Sequence, residues 1–325
     1  GGVTSIFEMP NTKPNTSTQE RIDEKIKLAE SKAKCDFAFF VGATKDNVSS
    51  LESIAQTPGC CGVKIFMGSS TGDLLVSEDE YLEQILKSTT CPISVHAEDE
   101  TILNARKQIA INGAHPSYHP RWRNVTSALT ATKRIVSIAE KLHRKVHILH
   151  ITSQEEVEFL KTKKHVATFE VLPQHLTLSA PECYNTLGTL AQMNPPIRSQ
   201  RHQEALWKAL IDGSVDMLAT DHAPHTLAEK QLPYPQSPSG LTGVQTFVPL
   251  MLDHIHHGRL SLERFVQLAS LNPARIFGAL YKGSIVVGND ADFTIVDLKA
   301  KKTITNDWIK SKSGWTPYDG KTVTG

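Results

Sequence analysis

The chain has 325 residues, of which 39% are hydrophobic and 21% charged, with a formal net charge of +1. That length and balance suit a water-soluble protein with a large core. The near-zero charge excludes a field that would draw the chain to nucleic acid or an anionic membrane. No apolar run approaches the roughly 20 residues that a bilayer-spanning helix needs.

Short apolar runs alternate with longer amphipathic ones. Strands are predicted at 4–9, 36–41, 62–67, 92–96, 145–151, 166–172 and 215–220. Helices are predicted at 18–33, 45–55, 77–87, 125–142, 155–161, 201–212, 244–257 and 262–269. Strand–helix alternation with short connections predicts an α/β fold, a parallel sheet covered by helices. Seven strands make a (β/α)₈ TIM-like barrel lacking its first strand, expected over residues 1–279. The tail differs: apolar runs at 283–288 and 291–297 read as strands of a partial C-terminal β-domain over 280–325. The chain opens on strand-like residues without an initiator methionine and closes on others. We therefore expect both ends to be cut from a longer chain, with the missing strand ahead of Gly1.

The five cysteines, Cys35, Cys60, Cys61, Cys91 and Cys183, show no CxxC spacing. Reduced thiols and a cytoplasmic location are expected. Fourteen histidines are many for this length, and several occupy short polar motifs, a first hint of metal or proton chemistry.

Four residues stand at or near the C-terminal ends of predicted strands, where barrel enzymes carry their chemistry. Lys64 interrupts the apolar run Gly62-Val63-Lys64-Ile65-Phe66-Met67. A buried lysine is costly unless neutral or paired, and a neutral amine can add CO₂ to form a carbamate that bridges two cations. The bland alternative is a lysine pointing to solvent. His96 and His150 end two further strands, and imidazole is a common zinc ligand. Each alone would more often be structural. His147, three residues before His150, should face the other side of its strand and is expected to be structural. Asp221, in Thr220-Asp221-His222-Ala223-Pro224-His225, can bind a cation and shuttle a proton. The alternative is a helix N-cap.

The segments Met9-Pro10-Asn11-Thr12, Gly62-Val63-Lys64, Val95-His96-Ala97-Glu98, Leu149-His150-Ile151-Thr152, Asn194-Pro195-Pro196-Ile197-Arg198 and Thr220 to His225 resemble the dihydroorotases of the amidohydrolase superfamily. Allantoinases and dihydropyrimidinases share the lysine and histidines, but usually lack the MPNT and DHAPH forms present here. The resemblance implies two divalent metal ions, most simply Zn²⁺, bridged by a carboxylated Lys64. His96 and His150 would hold one metal, and Asp221 would hold the other and move the reacting proton. Asn11, Asn194 and His225 would hold a small-molecule substrate. Backbone groups at Ser239 and Gly240 would touch its ring, unless that segment is a plain surface loop. The implied reaction is reversible cyclisation of N-carbamoyl-L-aspartate to L-dihydroorotate in pyrimidine synthesis. A homo-oligomer is compatible with the resemblance.

Two departures stand out. The family's His-x-His-x-Arg motif does not occur within the chain and is expected upstream of Gly1. Where the family often has Pro-His-His-Leu, this chain has Pro173-Gln174-His175-Leu176, so His175 is expected to be structural or supporting. The segment His115 to Arg121 is expected to be a loop without ligands. The competing readings are another cyclic-amide hydrolase, such as allantoinase or a hydantoinase, and a non-catalytic relative serving as a structural partner. The second would have lost ligands, yet every ligand expected within the span is present.

Overall fold

The structure is a computed structural model that describes residues 1–68 and 72–325. Each of the seven predicted strands forms: β1 Ser5–Glu8, β2 Asp36–Gly42, β3 Cys60–Phe66, β4 Ile93–His96, β5 Val146–Ile148, β6 Ala167–Val171 and β7 Met217–Leu218. They lie in chain order in one parallel sheet, each beside its sequence neighbour. Long helices fill the crossovers, including Gln19–Lys32, Asp79–Ser88, Val125–Lys141, Gln154–Lys161 and Gln200–Ile211. With every strand pointing the same way, all the C-terminal ends reach one rim. Phe66 pairs with His96, and Lys64 with Ser94.

The core explains why the strands are apolar on both faces. Val41, Val63, Ile65, Val95, Ile148 and Phe169 are sealed against helix residues such as Leu82, Ile135 and Leu206. A helix not anticipated from sequence, Glu100–Gly113, follows β4. Its apolar stripe is thin, with Leu103 and Ala110 its buried residues. The Asp99 carboxylate starts it by accepting the Ile102 N–H at 3.0 Å.

The predicted strands at 283–288 and 291–297 do not form. The first of these segments holds bends and a turn and the second irregular backbone, neither joins a sheet, and Ile285, Val287, Phe293 and Ile295 are exposed. Alternating apolar residues suit a strand, but a ladder also needs a neighbour. The tail's pairing comes later, between β8 Lys301–Thr303 and β9 Thr322–Thr324, antiparallel. Ile304, Tyr318 and Val323 pack on Leu250, in the helix Phe247–His256. Among the described residues, no helix is long and apolar enough to cross a membrane.

Candidate active site

The rim gathers the residues singled out above. Lys64 lies in β3, two residues before its end, and His96 ends β4. His150 and Asp221 lie just beyond β5 and β7. The backbone turns sharply at both of these last two, with φ +38° and +41°. Left-handed backbone at a non-glycine residue costs of order 1–3 kcal/mol and persists where the surroundings impose it. Here a capping box follows each turn. Ser153 and Glu156 start the helix Gln154–Lys161, and Thr226 and Glu229 start Leu227–Lys230. The N-cap is therefore Thr226, which leaves the Asp221 carboxylate free of that duty.

Lys64 is fully buried, with Nζ 4.2 Å from the centre of the Phe66 ring. Burial lowers its amine to about 7, against the opposing pull of Asp221 and Glu170. Part-exposed at the rim, Asp221 has its carboxyl raised to about 7, first by burial and then by the charge of Glu170. The His96 and His150 rings stand edge to face, with centroids 4.6 Å apart. Burial lowers both below the usual histidine range, and the nearby His96 and Lys64 push His150 further down. Both are thus neutral, the form in which imidazole binds metal.

The donor set fits a divalent cation. His96 Nε2 lies 2.8 Å from Glu98 Oε2, so Nε2 carries the proton and Nδ1 keeps the lone pair. Nδ1 of His150 is buried without a hydrogen-bond partner, as is Nδ1 of His175. Orphaned nitrogens of this kind call for an occupant. Three other carboxylates, Asp36, Asp290 and Asp292, converge within 4.8 Å. They are exposed, Asp36 starts β2 at the end opposite the rim, and the Lys282 ammonium already sits among them. That group is an ion-pair network.

The expected substrate residues divide. Asn11 is exposed in the loop after β1. His225, Ser239 and Gly240 come together: a Cβ on Gly240 would lie 3.1 Å from His225 Cδ2 and 2.4 Å from the Ala223 carbonyl, at φ +150°. Only glycine permits that approach. Gln192 Nε2 donates to Ser237 O and Ser239 Oγ, and the Gly240 N–H donates to Gln192 O at 3.0 Å. Trp315 Nε1 donates to His225 O at 2.7 Å, so the tail braces this loop. Asn194 is half-buried, next to Pro195, whose carbonyl accepts from His175 Nε2 at 3.2 Å.

Glu170 escaped the sequence reading. It is a buried carboxylate inside the apolar strand β6, the same signal that marked Lys64. Its Oε2 accepts from His147 Nε2 at 3.0 Å and its Oε1 from the His150 N–H at 3.3 Å. The His147 ring is held between Thr168 Oγ1 and the Glu170 carboxylate. His147 meets Glu170 through its ring, whereas His150, just past the end of β5, meets it through its backbone N–H. Gln174 donates to Thr220 O at 2.7 Å, beside Asp221, and its Oε1 is buried without a partner. His119, expected in a loop, is wholly buried and contacts Asn194.

A parallel α/β array with a lysine, two imidazoles and two carboxylates at its C-terminal rim defines the class of metal-dependent hydrolases built on barrels. The model of the amidohydrolase family matches residues 1–320, and the chain belongs to that family. It is 34% identical over 333 residues to a dihydroorotase of Methanosarcina acetivorans, covering 98% of this chain and 71% of that protein. It is 36% identical over 325 residues to a dihydroorotase of Halobacterium salinarum, covering 98% and 74%. Among solved structures it is similar to an L-hydantoinase from Arthrobacter aurescens, with TM-score 0.94 and 30% identity, over 100% of this chain and 74% of that one.

Proposed function

We propose that this protein is a dihydroorotase, catalysing the reversible interconversion of L-dihydroorotate and N-carbamoyl-L-aspartate. One observation carries the reading: a buried Lys64 shares one strand-end rim with His96 and His150, whose rings meet at 4.6 Å, and with Asp221. The dihydroorotases at 34% and 36% identity supply the choice of substrate.

Lys64, as its CO₂-derived carbamate, would bridge two cations, most simply Zn²⁺. His96 and His150 would hold one and Asp221 the other. Such ions, when bound, polarise an amide carbonyl and acidify water. The protein's own groups handle the rest. In the hydrolytic direction, the Asp221 carboxylate takes the proton of the attacking water. It then delivers that proton to the ring nitrogen as the C–N bond breaks. Glu98 orients His96, and Glu170 anchors the turn at His150. Asn11, Asn194, His225 and the backbone at Ser239 and Gly240 would hold the substrate.

The second reading, a hydantoinase, is favoured by the close match to the solved L-hydantoinase. Assays of dihydroorotate, hydantoin, dihydrouracil and allantoin side by side separate the two. A kcat/KM for dihydroorotate at least about tenfold above the others is expected, a discrimination of about 1.4 kcal/mol. Preference for hydantoin would overturn the assignment.

A further inference from the structure

The segment Gln192–Asn194 is held by side chains from two directions. On one side, Lys230 Nζ donates to Gln192 O at 3.0 Å and Pro238 O at 2.8 Å. On the other, His119 Nε2 lies 3.1 Å from Met193 O and 2.9 Å from Asn194 Oδ1. A carbonyl can only accept, so the Met193 contact requires a proton on His119 Nε2. That proton is shared with Asn194, whose facing atom must then also be an acceptor. The Asn194 amide is therefore oriented with Oδ1 toward the protein and its NH₂ group away from His119.

The rest of the surroundings preserve this arrangement. The His119 ring has no solvent exposure and sits edge-on to Trp122 and Tyr234, each 5.7 Å away between centroids. Nδ1 faces the Tyr234 hydroxyl at 3.4 Å, which can donate to the lone pair left there. Burial and the neighbouring Arg123 guanidinium keep the ring neutral, lowering it to about 3. A neutral ring with one proton, on Nε2, satisfies every contact.

We propose that His119 is a positioning residue that fixes the polarity of Asn194, so that Asn194 meets the substrate as a hydrogen-bond donor to a carbonyl or carboxylate oxygen. This rests on the reading in which Asn194 contacts the substrate. Without His119 the amide can flip and present an acceptor to an acceptor, which weakens binding more than the chemical step.

The test is a double-mutant cycle with a spectroscopic arm. His119→Phe keeps a ring but removes the donor, and should raise KM by roughly 10- to 100-fold with kcat changed far less. Asn194→Ala should raise KM comparably, and adding His119→Phe to it should cost little more, because the two act as one unit. His119→Gln, which keeps an N–H donor, should recover most of the KM and serves if the phenylalanine variant does not fold. Equal losses from His119→Phe in both backgrounds, or an unchanged KM, would overturn the proposal. Separately, ¹⁵N-histidine spectra of the intact protein at pH 7 should show His119 as the neutral Nε2–H tautomer. An Nδ1–H tautomer would overturn it. If no cyclic amide is turned over, the functional reading fails, and the tautomer decides the role of His119 by itself.

Discussion

His96 and His150 meet edge to face, 4.6 Å between ring centroids, although one ends β4 and the other lies just beyond β5. The Glu98 carboxylate ties down the first ring, and the Arg123 guanidinium in turn donates to Glu98. This chain sets which nitrogen of His96 carries a proton. Glu98→Gln should weaken metal binding about 10- to 100-fold, with little change in fold. Metal titration against a competing chelator measures this. Unchanged affinity would remove Glu98 from the metal site's support.

Lys64 tests the carbamate directly. Lys64→Ala should lose bridged metal and turnover, and short carboxylic acids should restore part of both by occupying the vacated space. Lys64→Arg should not be rescuable, since a guanidinium stays charged and fills that space. Full metal occupancy in Lys64→Ala without added acid would argue against a bridging lysine.

Asp221 is assigned the proton. Asp221→Asn keeps shape and an oxygen ligand but cannot take up a proton. Turnover should fall about 100- to 10,000-fold, while a substantial part of the metal stays bound. Near-normal kcat in the metal-loaded variant would move the proton transfer to another group.

The buried neutral histidines predict acid sensitivity. His119 is lowered to about 3 and His175 to about 4, both by burial first. Their folded pKa values lie below the unfolded value near 6.5. Below that pH the unfolded chain binds protons that the folded chain refuses. Their stabilisation is thus complete above about 6.5 and is lost as pH falls toward the folded values. Each contributes a slope of about 1.4 kcal/mol per pH unit. Asp221, raised to about 7, acts in the opposite sense over part of this window. The difference between the parent and His119→Gln isolates the effect: the variant's urea midpoint should vary less between pH 7 and 5. Parallel curves would show that His119 is not neutral in the fold.

Read alone, the sequence determined the seven parallel strands, because each is an apolar run bounded by turn residues and joined through an amphipathic helix. It also singled out the polar residues that stand at or just past apolar strands, Lys64, His96, His150 and Asp221, which the fold gathers at one rim. The same reasoning would have reached Glu170 in β6. The tertiary structure alone decided the contacts whose partners lie far along the chain. No local pattern joins His119 to Asn194, or Trp315 to the His225 carbonyl. No periodicity foretold the left-handed turn at His150, or that the His147 ring and the His150 N–H share the Glu170 carboxylate. The tail was misread for the same physical reason. Apolar alternation measures how well a segment would suit a sheet, whereas a strand exists only where a neighbouring backbone completes its hydrogen bonds.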